Sequence, residues 1–353
     1  MRAFQSVADL RKAGASRTAA QTVAAAVLTL LVTGAVFQIV GADPFEAFDA
    51  ILNGALGNPL GVEETVMLSA ILALAGLAVA IPARARLWNI GGEGQIFTGA
   101  LASVFVALKV HGLDPAVLTV LAMCAGVLAG ALWAAIAGVL KTRFGANEVL
   151  TTLMLNFIAI LLTDYSVGHL FPSTGLGNTT PPVPEGVELP DIAPGPEFNL
   201  GVLLAVLSLG VAHVLLSRTR LGLKIRAVGA NSDAARHNGV HVDRVTLAAL
   251  TIGGAFAGLA GAIVVIGVDG SLARDFSPGY GFIGIAVALL ARSRPLWILP
   301  AAALFGVLTV GGSYLEPTVG ISAAAALVIE GLFIILLLAF WVLPPERRGL
   351  QNE

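Results

Sequence analysis

The sequence predicts an all-α polytopic membrane protein of about ten transmembrane helices, and three observations support this class. Apolar residues make up 57% of the 353 residues and charged residues only 12%, about half the share of a soluble domain. The apolar residues form long runs separated by short polar segments, as membrane spans do. The basic residues lie almost entirely on one predicted side, which orients the bundle.

Ten apolar runs provide the predicted crossings. The first run is long for the apolar region of a signal peptide and lacks a clear cleavage site, so we interpret it as a retained helix. In chain order the runs are Ala20–Gly41, Thr65–Ile81, Ile96–Val110, Pro115–Leu140, Val149–Phe171, Leu200–Leu216, Val245–Val268, Phe282–Leu290, Leu296–Val310 and Ile321–Leu343.

The distribution of basic residues predicts cytoplasmic N- and C-termini. When the runs are threaded alternately, eighteen of the 20 Lys and Arg residues lie inside, and only Lys109 and Arg274 lie outside. Basic residues in short loops determine membrane orientation, so the charges support a threading built from hydropathy alone. The inner residues are Arg2, Arg11, Lys12, Arg17, Arg84, Arg86, Lys141, Arg143, Arg292, Arg294, Arg347, Arg348 and six within Arg218–Arg244.

The predicted domain organisation is a single transmembrane domain over residues 20–343. A cytoplasmic segment of residues 1–19 precedes it, and a cytoplasmic tail of residues 344–353 follows it. The outer loop Pro172–Asn199 carries seven prolines and should not form a helix. This loop is either a simple connection or a rim against which another protein docks. Residues 218–244 form the longest polar segment on the inner side.

An internal repeat predicts an inverted-repeat arrangement. Ala73–Ile81 and Ala255–Ile263 match at seven of nine positions and lie in spans of opposite direction. A glycine-broken span start follows each copy, at Asn89–Gln95 and at Ser277–Gly284. Interrupted helices at corresponding positions of inverted repeats mark the substrate pathway in several transporter classes. Helix packing alone accounts for the isolated glycines, Gly76, Gly126, Gly130, Gly258 and Gly261.

Polar residues within the apolar runs are the candidate lining of a pathway, because each is costly in a membrane. Glu148, Thr152, Asn156 and Asp164 recur at multiples of four and therefore share one helical face. The alternative is that they form interhelical hydrogen bonds as structural contacts. For the isolated Glu330 we expect a structural pairing. The predicted pathway residues are Asn89, Glu93, Gln95, Thr152 and Asn156.

Several kinds of chemistry are disfavoured by the sequence. No phosphate-binding loop, catalytic triad or paired carboxylate is visible, so we expect no catalytic residues and no ATP hydrolysis by this chain. Gly279–Gly284 fits a dinucleotide-binding pattern but lacks the strand that should precede it. We expect no metal site, because only His237 and His241 are one turn apart and Gly239 lies between them. The net charge of −2 gives no reason to expect nucleic acid.

The inner loop contains a predicted short helix. Asn231 or Ser232 can cap it, Ala234–His237 can be helical, and Gly239 can end it. We expect basic arms on both sides, whose charges can equally act as topology determinants facing anionic lipid. The central pair of small alanines favours entry into a groove of another protein.

Three segments carry a resemblance to a known family. Leu87–Gln95, Asn147–Asn156 and Arg226–Arg236 resemble motifs of the ABC importer permeases for ribose, simple sugars and branched-chain amino acids. The first two segments and Gly279–Leu290 are most similar to the purine-nucleoside branch, which works with basic-membrane-type lipoproteins. The similarity extends from the second span to the last.

The resemblance implies a non-enzymatic permease subunit in the cell (inner) membrane that forms a translocation path for nucleosides or simple sugars. It implies no cofactor on this chain and ATP use by a separate ABC ATPase. Its other implied partners are a second permease, often a different homologous chain, an extracytoplasmic substrate-binding lipoprotein and membrane lipid. The implied ATPase-coupling residues are Arg226, Gly229, Asn231, Asp233, Ala234, Ala235, Arg236 and Gly239.

Two other classes of function are compatible with the residues. One is a secondary transporter driven by protons or sodium, with Glu93, Glu148 or Asp164 as the coupling carboxylate. The other is an intramembrane enzyme, which the missing catalytic residues disfavour. Copurification with an ATPase distinguishes an ABC permease from a secondary transporter.

Overall fold

The computed structural model describes residues 27–171, 178–192, 198–322, 325, 328–329 and 331–336. Over these residues the regular elements are helices, and the pairing of extended segments is limited to two isolated bridges, Thr179 with Ala273 and Asp191 with Asn199. The all-α class is therefore confirmed for the described part of the chain.

The helices are numbered here in chain order. They are α1 (Val27–Val40), α2 (Pro44–Leu56), α3 (Pro59–Ala83), α4 (Gly92–Lys109), α5 (Pro115–Phe144), α6 (Glu148–His169), α7 (Leu200–Arg218), α8 (Arg220–Ala230), α9 (Ser232–His237), α10 (Val242–Ile263, continued by the π-helical turn Val264–Asp269), α11 (Tyr280–Leu290), α12 (Pro295–Ser313) and α13 (Leu315–Val319).

The number of membrane crossings is smaller in the described residues than the ten predicted. Six helices are long and apolar enough to cross a membrane, or seven if α1 and α2 count as one bent span. The run that forms α11 has 11 residues, about 16 Å of helix, and cannot cross an apolar layer of about 30 Å by itself. Ten crossings and inner termini stay predictions. Both terminal segments and Glu330 lie outside the described residues.

The helix in the first apolar run, α1, is followed by a second helix at a sharp bend. α1 and α2 are bent by 110° at the break between them. The second helix starts because Asp43 accepts hydrogen bonds from the backbone N–H groups of Phe45 (2.7 Å) and Glu46 (3.3 Å), with Pro44 at the first helical position. An acidic N-cap followed by proline is a strong helix start, and the sequence analysis did not identify it.

The chain divides into two compact units, residues 1–58 with 307–353 and residues 59–306, and the division falls within α12. In the first unit, Phe37 of α1, Ala47 and Ile51 of α2, and Leu315 and Ile321 are buried in one apolar cluster. The second unit contains all the predicted site residues.

The second unit is built around α3. In the apolar 18-residue part of α3, 89% of the residues are buried, compared with 28% in the corresponding part of α6. α3 is therefore enclosed by other helices, while one side of α6 is not covered by protein. α3 packs against α10, α11 and α7, and α10 packs in turn against α5 and α4.

Glycines bring α5 and α10 into backbone contact. A Cβ atom on any of Gly126, Gly130, Gly254 or Gly258 would overlap atoms of the opposite helix. In lipid, close packing of this kind replaces the hydrophobic effect as a source of helix association. The interpretation of Gly126, Gly130 and Gly258 as packing residues is therefore confirmed.

The proline-rich loop lacks helix where it is described, as predicted, but it is tightly attached. Backbone N–H groups of Thr180, Val183 and Leu189 donate to carbonyl groups of the segment 266–272 at 2.9, 2.8 and 3.2 Å. Val187 of the loop is buried in the apolar core of the second unit. The described part is thus a packed cover over the end of α10 and is more than a bare connection.

Candidate functional site

Two helices of the second unit begin inside the unit, and their beginnings meet. After α3 ends, the chain folds back so that the side chain of Asn89 donates to the carbonyl of Ala78 at 3.0 Å, about 7 Å back along α3. α4 then begins at Gly92. Before α11, Gly279 turns the chain with φ +102°, and a Cβ on Gly281 would overlap the backbone nitrogen of Glu93.

Glu93 joins the two helix starts. One carboxylate oxygen accepts from Ser277 Oγ at 2.6 Å and the other accepts from the Gly281 N–H at 2.6 Å. Ser277 Oγ also accepts from the N–H groups of Gly279 (3.2 Å) and Tyr280 (3.1 Å). Glu93 therefore supplies a carboxylate to the N-terminus of α11, where the helix dipole favours negative charge.

Asn89 and Gln95 form a reciprocal amide pair. The Nδ2 of Asn89 donates to Oε1 of Gln95 at 3.0 Å, and Nε2 of Gln95 donates to Oδ1 of Asn89 at 3.0 Å. The same Oδ1 accepts from the Gly91 N–H at 3.1 Å. The pair thus closes the turn that leads into α4 and supplies partners for its backbone groups.

Thr152 and Asn156 bind this turn from α6. Thr152 Oγ1 accepts from the Ile90 N–H at 3.2 Å. Asn156 accepts from the Gly94 N–H at 2.9 Å and donates to the Ile90 carbonyl at 2.9 Å. These are interhelical hydrogen bonds of the kind that hold membrane helices together.

All five predicted pathway residues come together in one cluster. Their exposed fractions are 1–2%, and the bonds above join their side chains to protein groups. The cluster holds the interrupted start of α4 against α3, α6 and α11. The assignment of these five residues to a substrate path stays a prediction.

The other carboxylates of the predicted stripe lie apart from this cluster. Glu148, at the start of α6, forms a salt bridge with Lys141 at 2.6 Å. Asp164 lies near the opposite end of α6, and its buried Oδ1 has no hydrogen-bond partner among the residues described. The residues of the stripe therefore lie in three separate local environments along α6.

The inner loop is more helical than predicted. The basic arm before the short helix is itself a helix, α8, in which Thr219 accepts from the Gly222 N–H at 3.0 Å as N-cap. The arm after it is mostly the first turn of α10. The predicted short helix is confirmed as α9: Asn231 caps it at 3.0 and 2.9 Å, and Gly239 follows it with φ +79°.

The implied coupling residues divide by exposure. Gly229 is buried, and a Cβ there would overlap the backbone of Arg84. Ala235 is 6% exposed, whereas its neighbour Ala234 is exposed, because consecutive helical residues point in different directions. Of the two alanines only Ala234 is available to a partner. The exposed members are Arg226, Asn231, Asp233, Ala234, Arg236 and Gly239.

The sequence analysis did not single out three residues that the structure brings to attention. Ser277 and Gly281 form the other half of the Glu93 contact, and their signal is their position within the glycine-broken span start Ser277–Gly284. Leu223 is 60% exposed on α8. In the sequence it stands out only as a large apolar residue among basic ones.

Long apolar helices, two interrupted helix starts that meet at a buried polar cluster, and a polar two-helix projection define the class of a multi-pass membrane transport protein. Residues 61–338 match the family model "Branched-chain amino acid transport system / permease component". This match covers most of the chain, and the chain belongs to that family.

Similar proteins agree over nearly the whole length. The glucose ABC transporter permease protein TsgB13 of Haloferax volcanii is 35% identical, covering 92% of this chain and 88% of its own. The guanosine ABC transporter permease protein NupP of Bacillus subtilis is 32% identical over 88% and 90%. The nucleoside ABC transporter permease protein NupB of Lactococcus lactis is 29% identical over 79% of each chain.

These findings decide between the classes of function left open by the sequence. The chain is a permease subunit of an ABC transporter, and the predicted family is confirmed. The secondary transporter and the intramembrane enzyme are set aside, because the similar proteins named above are ABC permeases.

Proposed function

We propose that this chain imports nucleosides or simple sugars across the cell (inner) membrane as one of two permease subunits. ATP is used by a separate ATPase, and an extracytoplasmic lipoprotein delivers the substrate. The observation that carries the proposal is the similarity, over most of the chain, to permeases named for guanosine, nucleosides and glucose.

The proposed path runs beside the two interrupted helices. The first helix of each repeat copy packs against the second helix of the other, α3 against α11 and α10 against α4. This reciprocal packing supports an inverted repeat with Glu93 at its centre. Movement of α11 against α4 would break the Glu93 contacts, so this cluster is a suitable place for alternating access.

The proposed ATPase contact is the exposed surface of α8 and α9. This surface, called here the coupling surface, consists of Leu223, Ala234 and Arg236. The buried residues Ile225 and Val228 fix α8 to the chain, and the Asn231 cap fixes α9. A rigid projection of this kind can transmit a partner's movement to α10, which follows it directly.

Uptake by the complete transporter in proteoliposomes tests this function. With the lipoprotein outside and ATP inside, we expect labelled guanosine or glucose to accumulate, and an uncoupler should leave the rate unchanged. Each substrate should be displaced by its own chemical class. Uptake that an uncoupler abolishes while ATP is present contradicts the proposal, and so does the absence of uptake of both classes.

A further inference from the structure

A basic pocket lies at the end of the second unit where α8 projects. It has a volume of about 230 Å³, and its lining includes Arg84, Arg226 and Arg294. Ordinary small-molecule sites measure about 300–1,000 Å³, so this pocket is small and suits a single compact charged group. The sequence places all three arginines on the cytoplasmic side.

The pocket is built by a turn of unusual backbone conformation. Between α11 and α12, Arg292 and Ser293 have φ values of 49° and 51°, in the left-handed region that non-glycine residues rarely adopt. The turn presents the Ser293 carbonyl to Arg84 Nε at 2.9 Å. Arg84 is thereby fixed with its terminal amino groups left for another acceptor.

The three guanidinium groups lack a matching negative charge. No salt bridge to a carboxylate is found for any of them in the part of the chain that the structure describes. Burial, and after it the charges of Arg294 and Arg226, lower the pKa of the Arg84 guanidinium. Repulsion of this kind is relieved when an anion binds among the cations.

One wall of the pocket is apolar and faces outward. Leu296 and Trp297 line it and are 57% and 62% exposed. On α7, which contributes His213 and Leu216 to the lining, Val211 and Val214 are 60% and 52% exposed. Exposed aliphatic residues belong to the lipid-facing surface of a membrane protein, and tryptophan is typical of its boundary with water. The pocket therefore opens at the level of lipid headgroups.

We propose that this pocket binds the phosphate headgroup of an anionic phospholipid of the inner leaflet. Arg226 and Arg294 contact the phosphate oxygens together with Arg84, and Ser217 lies beside them in the lining. Trp297 packs against the glycerol and the first acyl carbons. Basic pockets between helices on the cytoplasmic side have the chemistry that anionic headgroups require.

The test measures lipid binding to the full-length chain purified in neutral detergent, by native mass spectrometry. Phosphatidylglycerol and phosphatidylcholine are the probes. We expect Arg294→Gln to bind phosphatidylglycerol about fivefold more weakly, the factor for about 1 kcal/mol per basic residue at an anionic surface. Arg143→Gln is the matched control, since Arg143 is also exposed and basic on the predicted inner side but lies outside the pocket.

Every outcome of this measurement either supports or overturns the proposal. Equal loss in Arg294→Gln and Arg143→Gln, or equal binding of both lipids by the unchanged chain, overturns the proposal. If Arg294→Gln does not fold, Arg226→Gln takes its place with the same expected loss. Displacement of the lipid by an equal concentration of inorganic phosphate would mean that the pocket recognises the phosphate group alone and not the lipid. Loss of the lipid when the other subunits assemble would mean that the pocket is a contact between proteins. Either result, displacement by phosphate or loss on assembly, overturns the proposal.

Discussion

The contact between α4 and α10 predicts a sharp response to one methyl group. A Cβ on Gly99 of α4 would lie 2.5 Å from both the Cα and the carbonyl oxygen of Gly258 on α10. Ordinary contact begins at 3.4 Å, so Gly99→Ala requires the helices to separate by about 0.9 Å. Both atoms belong to backbone and cannot rotate away.

This separation has a calculable cost. A gap of about 0.5–1 Å removes a quarter to a half of the dispersion energy of each contact, and overpacking of a dense core costs about 1–3 kcal/mol. We therefore expect Gly99→Ala to destabilise the chain by about 1–3 kcal/mol. Because Gly99 lies one turn after Gln95 on the same helix, the shift should also loosen the polar cluster and slow transport.

Gly210→Ala is the matched control. Gly210 also lies within an apolar helix, but nothing lies within 4 Å of its Cβ position. An alanine there should be neutral or stabilising by up to about 1 kcal/mol, because glycine is a poor helix former. Unfolding of the purified variants in one detergent measures both effects. Equal unfolding midpoints for the two variants would refute the packing argument.

Three further changes test other parts of the structure. Glu93→Gln should lower the free energy of unfolding by about 1–3 kcal/mol, because one of its two donors at 2.6 Å loses its acceptor. A normal uptake rate per folded molecule would then remove Glu93 from the proposed path. In a cysteine-free background, a cysteine at Ser232 should react only with a thiol reagent applied from inside, and a cysteine at Glu185 only with the reagent applied from outside. The reverse pattern of labelling would contradict the predicted topology. Ala235→Asp should lower the yield of folded protein because it buries an unpaired carboxylate, whereas Ala234→Asp should fold normally; equal yields would contradict the assigned faces of α9.

The fold class and several details were predictable because they depend on local patterns. Long apolar runs specify helices, Asn231 and Gly239 specify the ends of α9, and small residues such as Gly258 specify close packing. The five residues of the buried polar cluster were also predicted as a group, because polar residues inside apolar runs must find partners.

Other features depend on contacts that a linear pattern does not contain. The buried side of α8 consists of Ile225 and Val228, but the charged residues around them make the segment look like a polar arm in the sequence. The burial of Ala235 beside an exposed Ala234 is decided by packing around α9. The Ser277 and Gly281 contacts with Glu93 join residues more than 180 positions apart.

Copurification of the ATPase tests most directly the central claim that this permease is coupled through α8 and α9. Leu223, 60% exposed on the coupling surface, and Phe144, 75% exposed at the end of α5, are matched as large apolar residues on the predicted inner side. We predict that the unchanged chain and Phe144→Asp bring down the ATPase in equal amounts, while Leu223→Asp folds but brings down little of it. Full ATPase recovery with Leu223→Asp would contradict the claim.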